Sequence, residues 1–410
     1  MKIYISGILG PGMGPLALMA KDAGISVCGS DEEKGVIYDE LVEAGIEVYV
    51  GEQDGKFLQE KLDEGVDWFV YTSALPVDHK ELMLALESGI KVTKRDELTE
   101  FLVQKLGLKM VAVAGTHGKT TTTAMIVWAA LKFGLPVAYL VGTTLGFAPS
   151  GSYKKGDKFF VYEADEYDRN FLKFHPWLSV LVSVTYDHPD IYKTREEYVE
   201  AFEQFKSQSE HVLETQVDAE KFDKVVGAAR REDAGFATEA LMKMEPSLSR
   251  EKVIEIINEF PGVGRRFERL EDGVYSDYAH NPEEVAATMD IAQEEIKLRG
   301  KKGVVALYQP HQNERQYEFK DDYKDVFLKA DKILWLPTCL VREKAGLPIL
   351  SREELTAGIT NKDDIIMVEM NDELVDLIRK FQREGYIVVL MSVGTAGLWL
   401  REHFGENKIK

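Results

Sequence analysis

Short apolar runs alternate with amphipathic stretches along the first hundred residues of the chain. The apolar runs predict strands at 3–6, 25–28, 47–50, 68–72 and 90–93. The segments between them have the hydrophobic spacing of helices. Strands that alternate with helices indicate a parallel sheet with helices on both faces, so the pattern predicts an α/β fold for this part of the chain.

The same alternation predicts two further α/β regions. A second sheet is expected at 110–114, 137–141, 159–163 and 178–184, and a third at 274–276, 304–307, 333–336 and 387–391 after a start near Phe267. Pro261–Gly264 breaks a helical pattern and places one boundary there. We therefore predict a Rossmann-like domain over 1–108, a P-loop ATPase-like domain with a parallel or mixed sheet over 109–262, and a second Rossmann-like domain over 263–410.

Charge and cysteine content restrict the class of protein. Fifty Lys and Arg against seventy Asp and Glu give the 410 residues a formal charge of −20, which disfavours a nucleic-acid scaffold. No apolar run reaches the roughly 18 residues of a membrane span, and the first residues lack the pattern of a signal peptide. Cys28 and Cys339 have no metal-ligand spacing. We expect a cytoplasmic monomer or homodimer with no nucleic-acid or membrane partner.

The strongest chemical signal is a glycine turn between the apolar run 111–114 and a helical stretch. It has the compact GxxGK[ST] form, in which glycines let the backbone approach phosphates and the helix N-terminus presents N–H groups. Lys119 would neutralise phosphate charge and Thr120 would ligate Mg²⁺. The alternative is a purely structural turn. We predict that ATP contacts Gly115, Thr116, His117, Gly118, Lys119, Thr120 and Thr121.

Acidic side chains follow two later strands of the same predicted sheet. Glu163 through Asp168 come after the run 159–162, and Asp187-His188-Pro-Asp190 come after 178–184. Open α/β sheets bind ligands at the carboxyl ends of their strands, and Mg²⁺ prefers oxygen ligands. A metal site built from Thr120, Glu163 and His188 is therefore favoured over a solvated acidic turn.

A second glycine turn joins the first strand to the first helix. Its pattern fails the dinucleotide fingerprint GxGxxG, because Pro15 stands where the third glycine would be. Asp31 follows the next strand and suits a ribose hydroxyl or a sugar. We expect substrate contacts at Gly10, Gly12, Met13, Gly14 and Asp31. An NAD-dependent dehydrogenase and a structural turn are the alternatives.

Five segments together resemble the Mur ligases of peptidoglycan synthesis, and they occur in the family's order along the whole chain. They are VAVAGTHGKTTTTAM, EADEYDRNFL, DHPDIY, GVGRRFE and DYAHNPEEVAAT. The resemblance implies an ATP-dependent amide ligase whose successive domains hold a UDP-sugar, ATP with Mg²⁺, and a free amino acid. ATP would phosphorylate the carboxylate of UDP-N-acetylmuramate, and the amine, with L-alanine expected, would attack the acyl phosphate.

The resemblance also implies roles for individual residues. The expected catalytic residues are Lys119, Glu163, His188, His311 and Arg315, with Thr120 and Glu163 on a first magnesium and His188 on a second. Arg266 would contact the phosphates, and Asp277 would lie near the ribose. Further substrate contacts are expected at Ser73 and Ala74 beside UDP, at His117, Asp168 and Arg169 near the reacting carboxylate, and at Arg342 and Glu343 near the amino acid.

Two segments depart from the family's pattern. The HNxxNA segment, whose His and Asn face adenine, corresponds to Asp233–Thr238 and lacks both asparagines. Gln312, Asn313 and Glu314 replace an Arg-Tyr-Ser triplet in the amino-acid segment, which predicts a change in the amine accepted. The alternative functions are a ligase that recycles murein tripeptide, a related ligase with another amine, a folylpolyglutamate-type enzyme and a non-catalytic nucleotide-binding paralogue.

Overall fold

Helices and strands alternate through the chain as the hydrophobic pattern predicts, and the α/β fold class is confirmed. The structure, a computed structural model, describes residues 1–72, 75–186, 188, 191–215, 219–340, 343 and 346–405. The described residues form three β-sheets. None of the helices they contain has both the length and the apolar character needed to cross a membrane.

The first sheet is parallel, with strand order β3-β2-β1-β4-β5. Its strands are β1 (Lys2–Ser6), β2 (Ser26–Asp31), β3 (Glu47–Val50), β4 (Trp68–Tyr71) and β5 (Lys91–Lys94). The helices are α1 (Gly14–Asp22), α2 (Tyr38–Glu43), α3 (Lys56–Asp63), α4 (Lys80–Ser88) and α5 (Arg95–Leu106). Because β1 has β2 on one side and β4 on the other, the loop after β1 lies at a topological switch point, where such sheets bind ligands.

The second sheet has the order β11-β10-β6-β9-β7-β8 and is mixed, because β8 pairs antiparallel with β7. Its strands are β6 (Lys109–Ala114), β7 (Val137–Leu140), β8 (Gly151–Ser152), β9 (Phe159–Glu163), β10 (Leu178–Leu181) and β11 (His211–Leu213). The helices are α6 (Lys119–Lys132), α7 (Arg195–Ser207), α8 (Ala228–Met244) and α9 (Arg250–Asn258), with 3₁₀ segments at Tyr167–Lys173 and Ala219–Lys221. The prediction that β10 extends to 184 was wrong, since the strand ends at Leu181.

The third sheet has the order β12-β13-β17-β14-β15-β16, with β12 antiparallel to β13. Its strands are β12 (Glu268–Glu271), β13 (Val274–Asp277), β14 (Gly303–Tyr308), β15 (Lys332–Trp335), β16 (Ile365–Met367) and β17 (Tyr386–Met391). The helices are α10 (Pro282–Arg299), α11 (Asn313–Phe319), α12 (Arg352–Thr356), α13 (Asp372–Arg383) and α14 (Ala396–Phe404), with a 3₁₀ segment at Lys362–Asp364. Strands β14 and β17 are buried almost throughout, as parallel strands with helices on both faces are.

The chain divides into two compact units. The first comprises 1–225 and 229–261 and contains the first and second sheets, and the second comprises 226–228 and 262–410 and contains the third. The start of the main part of the second unit at Gly262 lies next to the predicted boundary at 262/263. The further division of the first unit at 108/109 stays a prediction.

A buried polar cluster lies within the first sheet. The carboxylate of Glu81, 1% exposed on α4, accepts hydrogen bonds from the Tyr4 hydroxyl at 2.6 Å and the Ser6 hydroxyl at 2.7 Å. It also accepts bonds from Ser30 at 2.8 Å and from the amide of Gln53 at 3.1 Å. One carboxylate therefore satisfies donors from β1, from β2 and from the chain after β3.

Replacement of this carboxylate by an apolar side chain is expected to destabilise the first unit. Glu81→Leu leaves several buried donors short of an acceptor, which costs about 3 kcal/mol in the free energy of unfolding. Urea unfolding of this variant measures the loss, with Glu87→Leu at an exposed position of the same helix as the control. Equal midpoints for the two variants would contradict the proposed importance of the cluster.

Candidate active site

The turn between β6 and α6 requires glycine at two positions. Gly115 and Gly118 have φ angles of 142° and 84°, which side chains rarely adopt. A Cβ on Gly115 would lie 2.6 Å from the carbonyl oxygen of Ser183, and one on Gly118 would lie 2.2 Å from Oδ1 of Asp233. The turn is therefore packed against the residues after β10 and against α8. It opens directly into the N-terminus of α6, the expected position of a phosphate.

Thr116 attaches this turn to the chain after β10. Its N–H donates to the carbonyl of Ser183 at 2.6 Å. Its hydroxyl bonds with the carbonyl of Thr185 at 2.5 Å and with the hydroxyl of Tyr198 at 2.8 Å. The side chain of Thr116 thus serves the turn itself, whereas His117 beside it is exposed and Thr121 is buried.

Lys119 is bound to a carboxylate that the sequence prediction did not include. Its Nζ donates to Oε1 and Oε2 of Glu166 at 3.0 and 2.8 Å and to the carbonyl of Gly115 at 2.5 Å. Nε2 of His188 lies 3.7 Å from Oε1 of Glu166. Burial alone would raise the pKa of Glu166, but His188 and the Lys119 ammonium together lower it. The sequence feature that could have identified Glu166 is the acidic pair Asp165-Glu166, which follows the end of β9.

Two of the predicted magnesium ligands lie together. The hydroxyl of Thr120 donates to Oε2 of Glu163 at 2.8 Å, and Oε1 of Glu163 accepts the N–H of Gly142 at 2.7 Å. A hydroxyl and a carboxylate suit Mg²⁺, which keeps several waters and needs few protein ligands. Across the part of the chain that is described, no group of three or more His, Cys, Asp and Glu side chains could hold an ion. Asp187 and Asp190 lie outside that part, and the assignment of Thr120, Glu163 and His188 to metal stays a prediction.

The segment that corresponds to the family's adenine-facing residues places an acid at the phosphate loop. Asp233 lies on α8, is 7% exposed, and packs against Gly118. Thr238, one turn further along, donates to the carbonyl of Ala234 at 2.9 Å and is buried. Asp233 stands at the histidine position of that segment, and Ala234 and Ala237 stand at its two asparagine positions, so neither asparagine position carries a side-chain amide.

The glycine turn after β1 is held by Asp31 and covered by Arg95. Oδ2 of Asp31 accepts the N–H of Leu9 at 2.9 Å, and burial raises the pKa of this carboxyl although backbone N–H groups act in the opposite direction. A Cβ on Gly12 would lie 2.1 Å from Nη1 of Arg95. Arg95 begins α5 at the carboxyl end of β5, and no motif marked it in the sequence.

The other residues predicted at this turn lie in different surroundings. Gly10 accepts the N–H groups of Met13 and Gly14 in the turn, and Gly14 packs against Ile37. Met13 is 3% exposed and belongs to the hydrophobic core, so its side chain stabilises the turn by packing in that core. Ser73 and Ala74 lie outside the described residues.

Asp168 and Arg169 occupy a strained segment after β9. Both have left-handed φ angles, 53° and 56°, which are uncommon for residues other than glycine. Oδ2 of Asp168 lies 3.2 Å from Nζ of Lys94, and the guanidinium of Arg169 lies 5.2 Å from the ring centre of Tyr192. Two adjacent cations therefore contact different loops: Lys94 contacts this segment, and Arg95 contacts the first glycine turn.

The second unit contains a cluster of histidines with Arg315. Nδ1 of His280 lies 2.9 Å from a Glu284 oxygen, and its Nε2 lies 3.2 Å from Nη1 of Arg315. A guanidinium only donates, so Nε2 accepts and the proton of a neutral His280 is on Nδ1. The ring of His311 lies 6.4 Å away, and burial, His280 and Arg315 lower its pKa. His280 was missed, although it belongs to the motif DYAHNPEE.

Glu343 caps the helix that carries Arg315. Its two carboxylate oxygens each lie 3.1 Å from the N–H of Asn313, the first residue of α11. Gln312, directly before this helix, has a left-handed φ of 56°. Arg342 lies outside the described residues. The predicted amino-acid residues His311, Arg315 and Glu343 thus meet around the start of one helix.

Asp277 lies at the carboxyl end of β13, and Arg266 lies on the segment before β12. Asp277 accepts the N–H groups of Phe267 at 2.7 Å and Ala279 at 2.8 Å. Burial raises its pKa, although the charge of Arg266 acts in the opposite direction. The guanidinium of Arg266 lies 5.1 Å from the ring centre of Tyr278. The ATP contacts of both residues stay predictions.

A phosphate loop on one α/β sheet, with a second glycine turn on an adjoining sheet of the same unit, defines a nucleotide-using enzyme of the P-loop class. Family models described as "Mur ligase family, catalytic domain" and "Mur ligase middle domain" match residues 2–105 and 113–247. The chain is 30% identical over 444 aligned positions to the UDP-N-acetylmuramate--L-alanine ligase of Lactobacillus delbrueckii, covering 96% of this chain and 95% of that protein. The chain belongs to the Mur ligase family.

Solved structures share the fold. The UDP-N-acetylmuramate-alanine ligase MurC of Thermotoga maritima has a TM-score of 0.78 with 21% identity over 98% of both chains. A murein peptide ligase of Psychrobacter arcticus has a TM-score of 0.65 with 22% identity over 99% of both chains. The predictions of the Mur family and of an ATP-dependent acid–amino-acid ligase are confirmed by the family models and relatives.

The contact between Gly118 and Asp233 can be tested by comparing alanine variants of Gly118 and Gly134. Gly118→Ala and Gly134→Ala each place a Cβ at a left-handed position at an end of α6, but only Gly118 has a neighbour within 4 Å. We expect Gly118→Ala to cost about 1–3 kcal/mol more in unfolding free energy, because its Cβ meets Asp233.

Thermal unfolding of both variants measures the difference. Addition of Asp233→Ala to Gly118→Ala should recover part of the lost stability, because it removes the group that the new Cβ meets. Equal losses for the two glycine variants would show that the Gly118–Asp233 contact is not tight.

Proposed function

We propose that the protein joins L-alanine to the carboxylate of UDP-N-acetylmuramate with consumption of ATP and Mg²⁺. The observation that carries this proposal is the arrangement of the first unit, where Lys119 and the Thr120–Glu163 pair share a compact body with the glycine turn under Arg95. A triphosphate and a sugar nucleotide both need backbone N–H groups and cations. The names of the relatives support the choice of sugar nucleotide and amino acid.

The residues of the first unit suit activation of a carboxylate. A carboxylate is a poor electrophile, and phosphorylation gives it a leaving group. Lys119 would balance charge on the transferred phosphoryl group, and Thr120 with Glu163 would hold Mg²⁺, which supplies further charge neutralisation. Arg95 would hold the diphosphate of the sugar nucleotide over the glycine turn. Arg169, after β9, would orient the reacting acid.

The residues of the second unit suit recognition of an amino acid. Arg315 would pair with the α-carboxylate, as guanidinium groups do with planar anions. The attacking amine must lose a proton, and a neutral imidazole is a suitable acceptor. Burial and the nearby His280 and Arg315 lower the pKa of His311, which favours the neutral form of the ring. The free thiols Cys28 and Cys339 support a reducing cytoplasm as the place of action.

Murein tripeptide is a second candidate for the amine. Gln312, directly before α11, stands where the family's pattern has an arginine, and Glu314 places a carboxylate next to Arg315 in the sequence. The positive charge around Arg315 is therefore reduced. The likeness to the murein peptide ligase of Psychrobacter arcticus favours the same candidate. A peptide and a single amino acid present the same amine chemistry, so the two candidates share the carboxylate-activation step.

Substrate-dependent phosphate release distinguishes these candidates. The protein is incubated with Mg-ATP, UDP-N-acetylmuramate and either single amino acids or the tripeptide L-Ala-γ-D-Glu-meso-diaminopimelate, and the products are identified by mass. We expect phosphate release with L-alanine and a product heavier by one alanyl residue. Turnover with the tripeptide alone would establish the second candidate, and no phosphate with any amine would refute the ligase proposal.

Loss of the Lys119 cation should stop turnover while the fold persists. Lys119→Ala is expected to lower the rate by about 100-fold or more, because phosphoryl charge is left unbalanced. Lys132→Ala at the exposed far end of α6 is the matched control and should retain the rate. The rate of phosphate release and circular dichroism check both variants. Full activity of Lys119→Ala would exclude this loop as the ATP site.

A further inference from the structure

We propose that Glu166 is the anion that holds Lys119 in the nucleotide-free protein, and that the phosphates of ATP must displace it. This inference rests on the proposed ATP site and adds a competing contact inside it. It assigns to Glu166 a positioning role that acts through Lys119.

The Lys119 side chain is folded back onto its own loop. Its Nζ lies 2.5 Å from the carbonyl of Gly115 and 3.4 Å from that of Thr116, and the two oxygens of Glu166 complete its contacts. An ammonium group has three donors, and acceptors are present for all of them. A phosphate that binds this loop needs the same ammonium, so it has to replace the Glu166 carboxylate.

Burial makes this competition effective. The side chain of Glu166 is 1% exposed and that of Lys119 is 19% exposed. Solvent and salt screen such a pair much less than a surface pair. The equilibrium between the paired and the phosphate-ready lysine therefore enters the apparent affinity for ATP.

The backbone of Glu166 is fixed, so the carboxylate has little freedom to follow the lysine. The hydroxyl of Tyr192, a residue with no exposed surface, donates to the carbonyl of Glu166 at 2.7 Å. The same carbonyl accepts the N–H of Arg169 at 3.0 Å. Movement of Lys119 toward a phosphate therefore breaks the pair. After displacement, His188 remains beside the Glu166 carboxylate.

Removal of the competing charge should strengthen ATP binding. Glu166→Gln keeps the shape of the side chain and removes its negative charge. We expect the dissociation constant of Mg-ATP, measured by calorimetry without sugar nucleotide or amino acid, to fall about tenfold if the paired state dominates by that factor. A damaged loop would bind more weakly, so a gain in affinity separates competition from a structural defect. Unchanged or weaker binding by folded Glu166→Gln would overturn the proposal.

Two further variants isolate the Lys119–Glu166 pair. Glu295 is 4% exposed and bonds the hydroxyl of Tyr275 at 2.7 Å and the guanidinium of Arg299 in the second unit. Glu295→Gln removes a buried, paired carboxylate in the same way and should leave ATP affinity unchanged. In a Lys119→Ala background, Glu166→Gln should bring no gain, because the competition requires the lysine. A gain there would overturn the proposed mechanism.

A structure of the wild-type protein with Mg²⁺ and a non-hydrolysable ATP analogue tests the proposal if Glu166→Gln does not fold. Nζ of Lys119 should then lie on a phosphate and beyond about 4 Å from Glu166, the limit of an ion pair. A retained pair would overturn the inference. Wild-type protein that binds ATP, with no gain in Glu166→Gln, refutes this inference alone. Wild-type protein that binds no ATP refutes the proposed function and this inference together.

Discussion

The turn between β6 and α6 is the constraint on which the site of the first unit depends. Two left-handed glycines bring the chain from a buried strand to the start of a helix within four residues. This turn packs Gly115 against the chain after β10 and Gly118 against α8, and it places Lys119 on the segment after β9. Three parts of the sequence that are distant from one another therefore meet because one turn has no room for side chains.

Charge is arranged around this turn against the overall acidity of the chain. The formal charge is −20, yet the proposed ligands are anions. Arg95 lies on the first glycine turn and Lys94 pairs with Asp168, while Lys119 pairs with Glu166. Each of these cations faces a ligand position or a carboxylate of its own unit. Asp168 and Glu166 thus hold cations in this unit, and the helix N-terminus adds its own favourable field.

Much of the fold was predictable from the sequence, because parallel strands with two covered faces are long apolar runs. Strand β9, which is buried at its centre, was predicted at its observed residues, and so was the more exposed edge strand β3. The short edge strands β8 and β11, of two and three residues, have no period to detect. Motifs identify Lys119 and Glu163 in the sequence, and the structure places Lys119 beside Glu166 and Glu163 beside Thr120. Arg95 and Glu166 were missed because their roles depend on which loops fold against each other.

The carboxylates show most clearly what a motif leaves open. Asp31 and Asp277 are the last residues of β2 and β13 and were expected near a sugar or a ribose, and both accept backbone N–H groups of neighbouring loops. A carboxylate at the end of a strand has the same sequence pattern whether it binds a ligand or holds the loop that does. In this chain both carboxylates hold neighbouring loops, and their contacts with a sugar or a ribose stay predictions. Asp233 and Gln312 depart from the family's pattern at the positions predicted to face the base and the amine, while the GxxGK[ST] turn is retained.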